Sequence, residues 1–571
     1  MKTTSESAST SEPGTPDVPD IVAYPEEAVR RYRAAGFWSD RTVAQEFRAV
    51  ADKYPDHAAL LTPDARLTYA ELDRRTDRIA VGLRDLGLRP GDRVLLQVTN
   101  NLWTVLAWYG LLKAGLVPVA TLAQHRRHEI LEIARQSEPA AHLIEPGFRS
   151  HDLVALAAEV AREQPSLRRL LTIGTASPPP GAVALETLEA AGRPDDPAIA
   201  RAVVEEIQKA IPADSLAVLQ LSGGTTSIPK LIPRLHTEYW YNSRAYAEAI
   251  DMDSTGCFAH LLPLVHNAGI VCGLHSAHSV GGCFALASPE PDELKSIAGH
   301  ITHTMMSPPL TSMVTKEPGL LESLDALRVF IWVLGPLPAD IVAAFETPSR
   351  RIIQMFGMTE GMCLVTPIAS PPEIRHHTVG TPIGPLDEVR VYAPGTEDPV
   401  PPGTQGELCA RGPYTIRGYF RAPERNAEAF TSDGFYRSGD IVVEVPENGR
   451  SFYRFEDRIK DLINRGGEKV NAAELENLLV RHPAVERVAV VAMPDERLGE
   501  RCCAFIIPKP GAQAPQLGEV QRFLDEIGVA KFKWPERIEA CEELPLTNVS
   551  KIDKRALRVR ITDILAAERP Q

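Results

Sequence analysis

The sequence predicts an α/β protein with a β-rich segment and a compact α+β unit towards its C-terminus, on three observations. Between residues 67 and 360, stretches with helical spacing of apolar residues alternate with short apolar runs that end in glycine or polar residues, the pattern of a largely parallel sheet with crossover helices. From about Pro385 the texture changes to shorter strands separated by turns. Beyond the strongly charged stretch Asp457-Arg458-Ile459-Lys460-Asp461 a separate helix–strand–strand–helix unit begins. At 571 residues the chain is long enough for two or more domains with sizeable cores.

Taken in order, Leu67-Thr68-Tyr69-Ala70-Glu71-Leu72 opens a helix whose Leu72, Ile79, Leu83 and Leu86 keep helical spacing before Gly87 and the turn Pro90-Gly91-Asp92. Residues 93–98 (RVLLQV) form a strand, 103–113 a second helix, and 114–119 return to the sheet. The α/β pattern continues from 140 to 212, with a Pro/Gly-rich surface connection at 176–182. Residues 216–221 (LAVLQL) have the length and composition of a buried strand. The runs 262–267, 330–335 and 352–360 end in glycine or polar residues, where an α/β sheet presents its ligands, at the carboxyl ends of strands. Short strands are expected at 388–392, 407–411, 434–445 and 451–455. The last unit has a helix at 472–481, strands at 488–492 and 503–507 and a helix at 517–527, with no internal repeat. The domain plan is a disordered tail over 1–25, a large domain over 26–460 whose β-rich part spans about 385–460, and a small domain over 461–571.

Composition narrows the function. A net charge of −14 argues against wrapping nucleic acid or docking on an anionic membrane, and favours small-molecule chemistry in a locally basic pocket. The eight cysteines lie between Cys257 and Cys541 without a CxxC pair, as expected of free thiols in a reducing cytoplasm rather than zinc ligands or a redox dithiol. No run of eighteen apolar residues exists, and the polar N-terminus MKTTSESASTSEPGTPDVPD lacks the hydrophobic core of a signal peptide.

The densest chemistry in the chain is residues 221–230, LSGGTTSIPK, directly after the LAVLQL strand. Glycines let backbone N–H groups approach an anion, hydroxyls add donors and a lysine adds charge, so the stretch suits phosphate. It is not a Walker loop, since Lys230 lies between Pro229 and Leu231. The decapeptide alone does not separate phosphate binding from a solvated turn.

The ordered set LSGGTTSIPK, MFGMTE, FYRSGD, DRIKDLINRGGEKV and LPLTNVSKIDK, with LTYAEL and LKAGLVPV nearer the front, resembles the adenylate-forming superfamily of acyl-CoA synthetases, peptide-synthetase adenylation domains and luciferases. The double glycine of LSGG, the following LIPR and the pair His266-Asn267 look most like its stand-alone aryl-acid AMP ligases, such as 2,3-dihydroxybenzoate–AMP ligase. The resemblance covers nearly the whole chain from about residue 40. It implies a large N-terminal domain of two α/β subdomains plus a β-rich subdomain, with a small mobile α+β C-terminal domain. It also implies a chemistry in which a carboxylate attacks the α-phosphorus of ATP while pyrophosphate leaves, so the protein's task is positioning and charge neutralisation.

By the same resemblance, Ser222, Gly223, Gly224, Thr225 and Thr226 hold the departing pyrophosphate and Lys230 closes that motif. Thr359 donates to the α-phosphate and Glu360 holds Mg²⁺. Phe356 and Gly357 form the adenine wall with the backbone of Met355 at its edge and Gly335 nearby. Asp440 takes the ribose hydroxyls with Arg458 as its neighbour, and Lys551 contacts carboxylate and α-phosphate in the transition state. His266, Asn267, Ala268, Cys272, Gly335, Pro336 and Cys363 line the acyl pocket. Rotation at Lys460 or Asp461 would exchange Lys551 for a thiol channel at Gly466 and Gly467, where phosphopantetheine of CoA or of a carrier protein meets the adenylate.

Each residue has a plainer alternative. Asp440 suits a turn carboxylate, Glu360 a helix N-terminal charge, Lys551 one cation of a solvated Lys/Arg face with Lys554 and Arg555, and His266 a core histidine; the ordered motif set outweighs these alternatives. Departures from the family pattern cluster at the acyl pocket: Ala268 replaces a bulky tyrosine, Cys272 a serine that meets a 3-hydroxyl, Pro336-Leu337 part of a GGA-type segment, and Cys363 a valine. A thiol in place of a hydroxyl penalises 2,3-dihydroxybenzoate, so the expected substrate is a salicylate-like or bulkier fused-ring or terpenoid acid of secondary metabolism. Ser227 and Ser550 replace family glycines. The alternatives are a ligase that hands its adenylate to another protein and a non-catalytic nucleotide-binding relative.

Overall fold

The computed structural model describes residues 20–148, 152–175, 177–192, 196–221, 230–333, 337–458, 461, 463–465, 468–495, 498–527, 529, 531–547 and 551–568, and of 308–309, 457–458, 464, 468–469 and 532 the backbone alone. Among these residues the strands form four sheets. In the first, seven strands run in the order Ala182–Ala184, Arg169–Thr172, Ala141–Ile144, Arg93–Gln97, Val117–Val119, Leu216–Leu221 and Leu231–Leu235. All its pairs are parallel except the last, in which Leu221 lies opposite Leu231. In the second, nine-stranded sheet a parallel centre, including Cys257–His260, His303–Met306, Val329–Trp332 and Arg351–Met358, is flanked by antiparallel edges. These two sheets are the paired α/β subdomains expected of the resemblance.

Alternation along the strands builds a layered core. In Arg93–Gln97 the side chains of Val94 and Leu96 enter the central cluster, while Leu95 enters the outer one. In Val329–Trp332, Val329 and Ile331 join the same central cluster, and Phe330 and Trp332 a second outer one. A period of two thus gives each sheet two apolar faces, and the helices Val43–Lys53, Tyr69–Asp85, Leu102–Lys113 and His236–Ala249 supply the layer between them. The Tyr69–Asp85 helix starts where a capping box forms between Thr68 and Glu71. One predicted run is displaced. The strand is Cys257–His260, and 262–267 instead form the turn leading into the next helix, since Pro263 has no N–H to give a ladder.

The β-rich part is a four-stranded antiparallel sheet of Glu388–Tyr392, Gln405–Arg411, Tyr436–Glu447 and Arg450–Arg458. The last sheet, with Val485–Asp495 and Gly499–Pro508 at its heart, belongs to the C-terminal unit. Val488 and Val490 point into one of its cores, and Ala489, Val491 and Met493 into the other. Both cores are drawn entirely from residues after 462. Of the expected tail, 1–19 lie outside the described residues. Asp20 pairs with Arg421, and the Tyr24 hydroxyl donates to the Thr415 carbonyl at 2.7 Å.

Besides His275, which burial holds well below its usual pKa, six histidines of the large domain are sealed in its interior. His142 meets the Gln97 amide oxygen at 3.0 Å, His278 the Ala59 carbonyl at 2.9 Å and His303 the Ile250 carbonyl at 3.2 Å. His125 and His236 accept backbone N–H groups of Leu122 and Val43, and His260 packs over Gly269. Burial depresses all six, to about 3 for His142, His236 and His260 and about 4 for His125, His278 and His303. No helix of the described residues is long and apolar enough to cross a membrane.

Candidate active site

Leu216–Leu221 and Leu231–Leu235 pair so that their open ends meet at 222–230. Ser222, Gly223, Gly224, Thr225 and Thr226 lie outside the described residues; Lys230 lies within them. Its ammonium is 3.4 Å from the Tyr419 hydroxyl and 4.8 Å above that ring. Tyr419 donates to Glu360 Oε1 at 2.9 Å and stands 2.9 Å from the Tyr436 hydroxyl. Burial lowers the Lys230 pKa, and the Glu360 carboxylate opposes that shift. Burial first, and Glu360 next, raise both phenols, which stay neutral donors. Sequence reasoning missed Tyr419 and Tyr436. The one signal is that Tyr436 is the second residue of the FYRSGD motif that ends at Asp440.

Thr359 and Glu360 occupy the tight turn between Arg351–Met358 and Met362–Val365, closed by Met358 opposite Met362. Gly361 has φ +98°, and a Cβ there would lie 1.8 Å from the Tyr414 carbonyl oxygen, so only glycine fits. The Ile416 N–H donates to the Glu360 carbonyl at 2.9 Å, locking the turn against the β-rich part. Met355 packs towards the central core, while Phe356 faces the β-rich part and lies offset from Phe455, centroids 6.0 Å apart. Gly357 is exposed between them. Asp440, buried, sits opposite Arg458 in the adjacent strand; the Arg458 side chain lies outside the described residues.

One buried guanidinium ties this turn to the segment that carries Asn267. Arg234 is 0% exposed. It donates to the Thr359 carbonyl at 2.9 Å and to both oxygens of Glu238 at 2.9 and 2.7 Å. It also stands 4.8 Å over the Tyr239 ring. The Tyr239 hydroxyl takes a bond from Gln220 at 3.0 Å and gives one to Asn267 Oδ1 at 3.1 Å. The Thr359–Glu360 turn, helix His236–Ala249 and Asn267 are thus one connected framework. The LIPR motif pointed to this stretch, but the pairing with Glu238 shows only in the fold. Removing one partner leaves the other charge buried and alone, so Arg234→Ala is expected to lower unfolding free energy by about 3–5 kcal/mol. Urea titration checks this, and Arg234→Met with Glu238→Gln should recover much of the loss.

His266, Asn267 and Ala268 lead into Gly269–His275, a π-helical segment, a geometry frequent at functional sites. The Ala268 N–H donates to His266 Nδ1 at 3.3 Å, which leaves Nε2 to carry the proton. Burial first, and the positive charge of Lys551 next, lower the His266 pKa to about 4, so the ring is neutral near pH 7 and within electrostatic reach of the C-terminal lysine. Lys551 is held by a small turn in which Thr547 N–H donates to its carbonyl at 2.6 Å and its own N–H to the Thr547 hydroxyl at 3.2 Å. Cys272, in the π-helical segment, and Cys363, in Met362–Val365, are buried neighbours whose thiols burial keeps protonated.

Asp461 pairs with Arg558 of the last helix. Gly335, Pro336, Lys460, Gly466 and Gly467 lie outside the described residues. Among the described residues, no group of three or more His, Cys, Asp or Glu side chains is arranged to hold a metal ion. Glu360, 8% exposed, is a lone carboxylate of the kind that meets Mg²⁺ arriving on nucleotide phosphates, which needs only one or two carboxylates from the protein.

Residues 47–420 match the AMP-binding enzyme family, and 474–551 the AMP-binding enzyme C-terminal domain. The chain belongs to the AMP-binding enzyme family. It is an adenylate-forming enzyme with a large N-terminal and a small C-terminal domain. A salicylyl-CoA synthase / salicylate adenylyltransferase of Streptomyces sp is 40% identical over 94% of this chain and 97% of its own. The 2,3-dihydroxybenzoate-AMP ligase of Bacillus subtilis is 37% identical over 95% and 98%. The apo structure of Mycobacterium smegmatis MbtA superposes with a TM-score of 0.69 at 37% identity, covering 95% of this AMP-binding enzyme and 99% of that chain.

Proposed function

We propose that this AMP-binding enzyme activates a salicylate-like or bulkier fused-ring or terpenoid acid with ATP and passes the acyl group from the adenylate to a phosphopantetheine thiol, on CoA or a carrier protein. The observation that carries the proposal is the Arg234 framework, which couples the Thr359–Glu360 turn to Asn267 through Tyr239. An aryl acid read through its ortho hydroxyl at Asn267 and a phosphate held at Thr359 thereby keep a fixed separation, as in-line attack requires.

The carboxylate oxygen attacks the α-phosphorus, the bond to the bridging oxygen breaks, and pyrophosphate leaves. Lys230 and the Ser222 to Thr226 stretch neutralise the departing charge, and the Thr359 hydroxyl donates to an α-phosphate oxygen. Asp440 accepts the ribose hydroxyls beside the adenine wall of Phe356 and Gly357. Mg²⁺, when bound at Glu360, adds Lewis-acid stabilisation of phosphate oxygens. Neutral His266 directs its Nε2–H to the acid mouth, and Lys551 supplies the positive charge that bridges carboxylate and phosphate. In the second half-reaction the small domain turns at Lys460 or Asp461, bringing Gly466 and Gly467 to line the thiol path. The thiol sulfur bonds the acyl carbon and AMP leaves. The close relatives, named for salicylate, dihydroxybenzoate and CoA chemistry, support this reading.

The test is acid-dependent ATP–pyrophosphate exchange with salicylate, 2,3-dihydroxybenzoate and 1-hydroxy-2-naphthoate. With Cys272 in place of a hydroxyl, one hydrogen bond of about 1 kcal/mol is weakened, so salicylate or the naphthoate should exceed 2,3-dihydroxybenzoate about fivefold. Best turnover with 2,3-dihydroxybenzoate would overturn the assignment of the acid.

A further inference from the structure

The helix His236–Ala249 presents Tyr239 and, two turns later, Tyr246 on one face. The Tyr239 hydroxyl is fully engaged, between Gln220 and Asn267. Tyr246 is 0% exposed, and its hydroxyl has no hydrogen-bond partner among the described residues. Buried phenols are ordinarily paired, so an unpaired one on a recognition wall calls for an absent partner. Tyr246 shares the central core with Cys272 and Cys363, and those two thiols are the titratable groups felt at its hydroxyl. Both were singled out in the sequence as acyl-pocket positions. The same comparison expects a bulky tyrosine where Ala268 stands, and Ala268 packs against the cluster that holds Tyr246. A phenol missing from one wall is present on another.

We propose that Tyr246 is a specificity residue of the acyl pocket, a fixed phenol donor for an acceptor oxygen or ring nitrogen on the aryl edge remote from the carboxylate. Asn267, at the carboxylate end, would read the ortho substituent, while Tyr246 reads the far edge. Burial holds the phenol well above its usual pKa, so it donates at every working pH. The preferred acid then carries a hydroxyl, methoxyl or ring nitrogen at that edge, which salicylate itself lacks. This deepens the proposed function and rests on it.

The experiment compares wild type with Tyr246→Phe in pyrophosphate exchange, using salicylate and 2,3-, 2,4- and 2,5-dihydroxybenzoate, with thermal melts of both proteins without ligand. The wild type is expected to prefer the 2,4- or 2,5-isomer to salicylate. Tyr246→Phe should lose at least tenfold in kcat/KM for that isomer, keep salicylate within twofold and melt no lower than wild type, since it deletes only an unpaired hydroxyl. An unchanged selectivity ratio overturns the proposal, as does a lowered melting temperature with all acids affected alike, which marks a purely structural hydroxyl. A loss confined to the 2,3-isomer overturns the far-edge assignment. Wild-type inactivity with all four acids overturns the salicylate-like part of the proposed function together with the role of Tyr246, an outcome distinguishable from the failure of Tyr246 alone.

Discussion

Lys551→Ala is expected to lower acid-dependent ATP–pyrophosphate exchange by about a thousandfold while leaving the folded enzyme intact. A positive charge that meets both the attacking carboxylate and the α-phosphate acts mainly in the transition state, and loss of such a contact typically removes about 3–4 kcal/mol of stabilisation. The side chain stands within electrostatic reach of His266, beside the proposed acyl pocket. The turn that carries it is held by backbone and Thr547 contacts that alanine retains, so the melting temperature should stay near the wild-type value. Supplied with synthetic acyl-adenylate, the variant should still transfer the acyl group to a pantetheine thiol, because the proposed mechanism gives Lys551 no part in that step. A variant that loses both half-reactions equally, or neither, would contradict the role given to this lysine.

The second large effect is on stability. Acidification from pH 7 to pH 5.5 should destabilise the large domain steeply, with the six sealed histidines as the cause. Each is held neutral in the fold with a pKa of about 3 or 4, whereas the unfolded chain takes up a proton near 6.5. A depressed histidine pKa contributes stability that is present above about 6.5 and is lost as pH falls towards the folded value. Each group gives up about 1.4 kcal/mol per pH unit once below 6.5. Six acting together exceed half the stability of an ordinary domain by pH 5.5. Asp387 works in the opposite direction. Burial raises it to about 7 despite bonds from Tyr414 and Gly384, so its contribution improves as pH falls, and burial shifts Asp77 and Glu238 in the same direction. Melting curves at pH 7.5, 6.5 and 5.5 check the prediction, and a flat profile would refute it.

Much of the fold was legible because it rests on local pattern. The Tyr69–Asp85 helix announces itself through a capping box and apolar spacing, and the strand Leu216–Leu221 through an unbroken apolar run. The order of short motifs carried the enzyme class. The pieces that sequence did not disclose depend on chain segments meeting from afar. Arg234 reads as one basic residue in an apolar strand, and its meaning lies in Glu238 one helical turn on and in Thr359 far along the chain. Tyr436 lies within FYRSGD and Tyr419 in no quoted motif, and the two are unconnected in sequence until their hydroxyls meet beside Glu360. Cys257–His260 was passed over in favour of the apolar run after it because periodicity cannot show that Pro263 interrupts a ladder. The π-helical segment at Gly269–His275 has no sequence signature of its own, as one extra residue per turn leaves the composition unchanged.

Among the described residues, the small domain completes its own two interior faces, one on each side of its sheet, without borrowing an apolar side chain from the large one. The turn proposed at Lys460 or Asp461 would therefore carry it as a finished body, with both of its interiors kept dry. Apolar hydration sets the heat capacity of a conformational change, so those two interiors would add nothing to the heat capacity of such a swing.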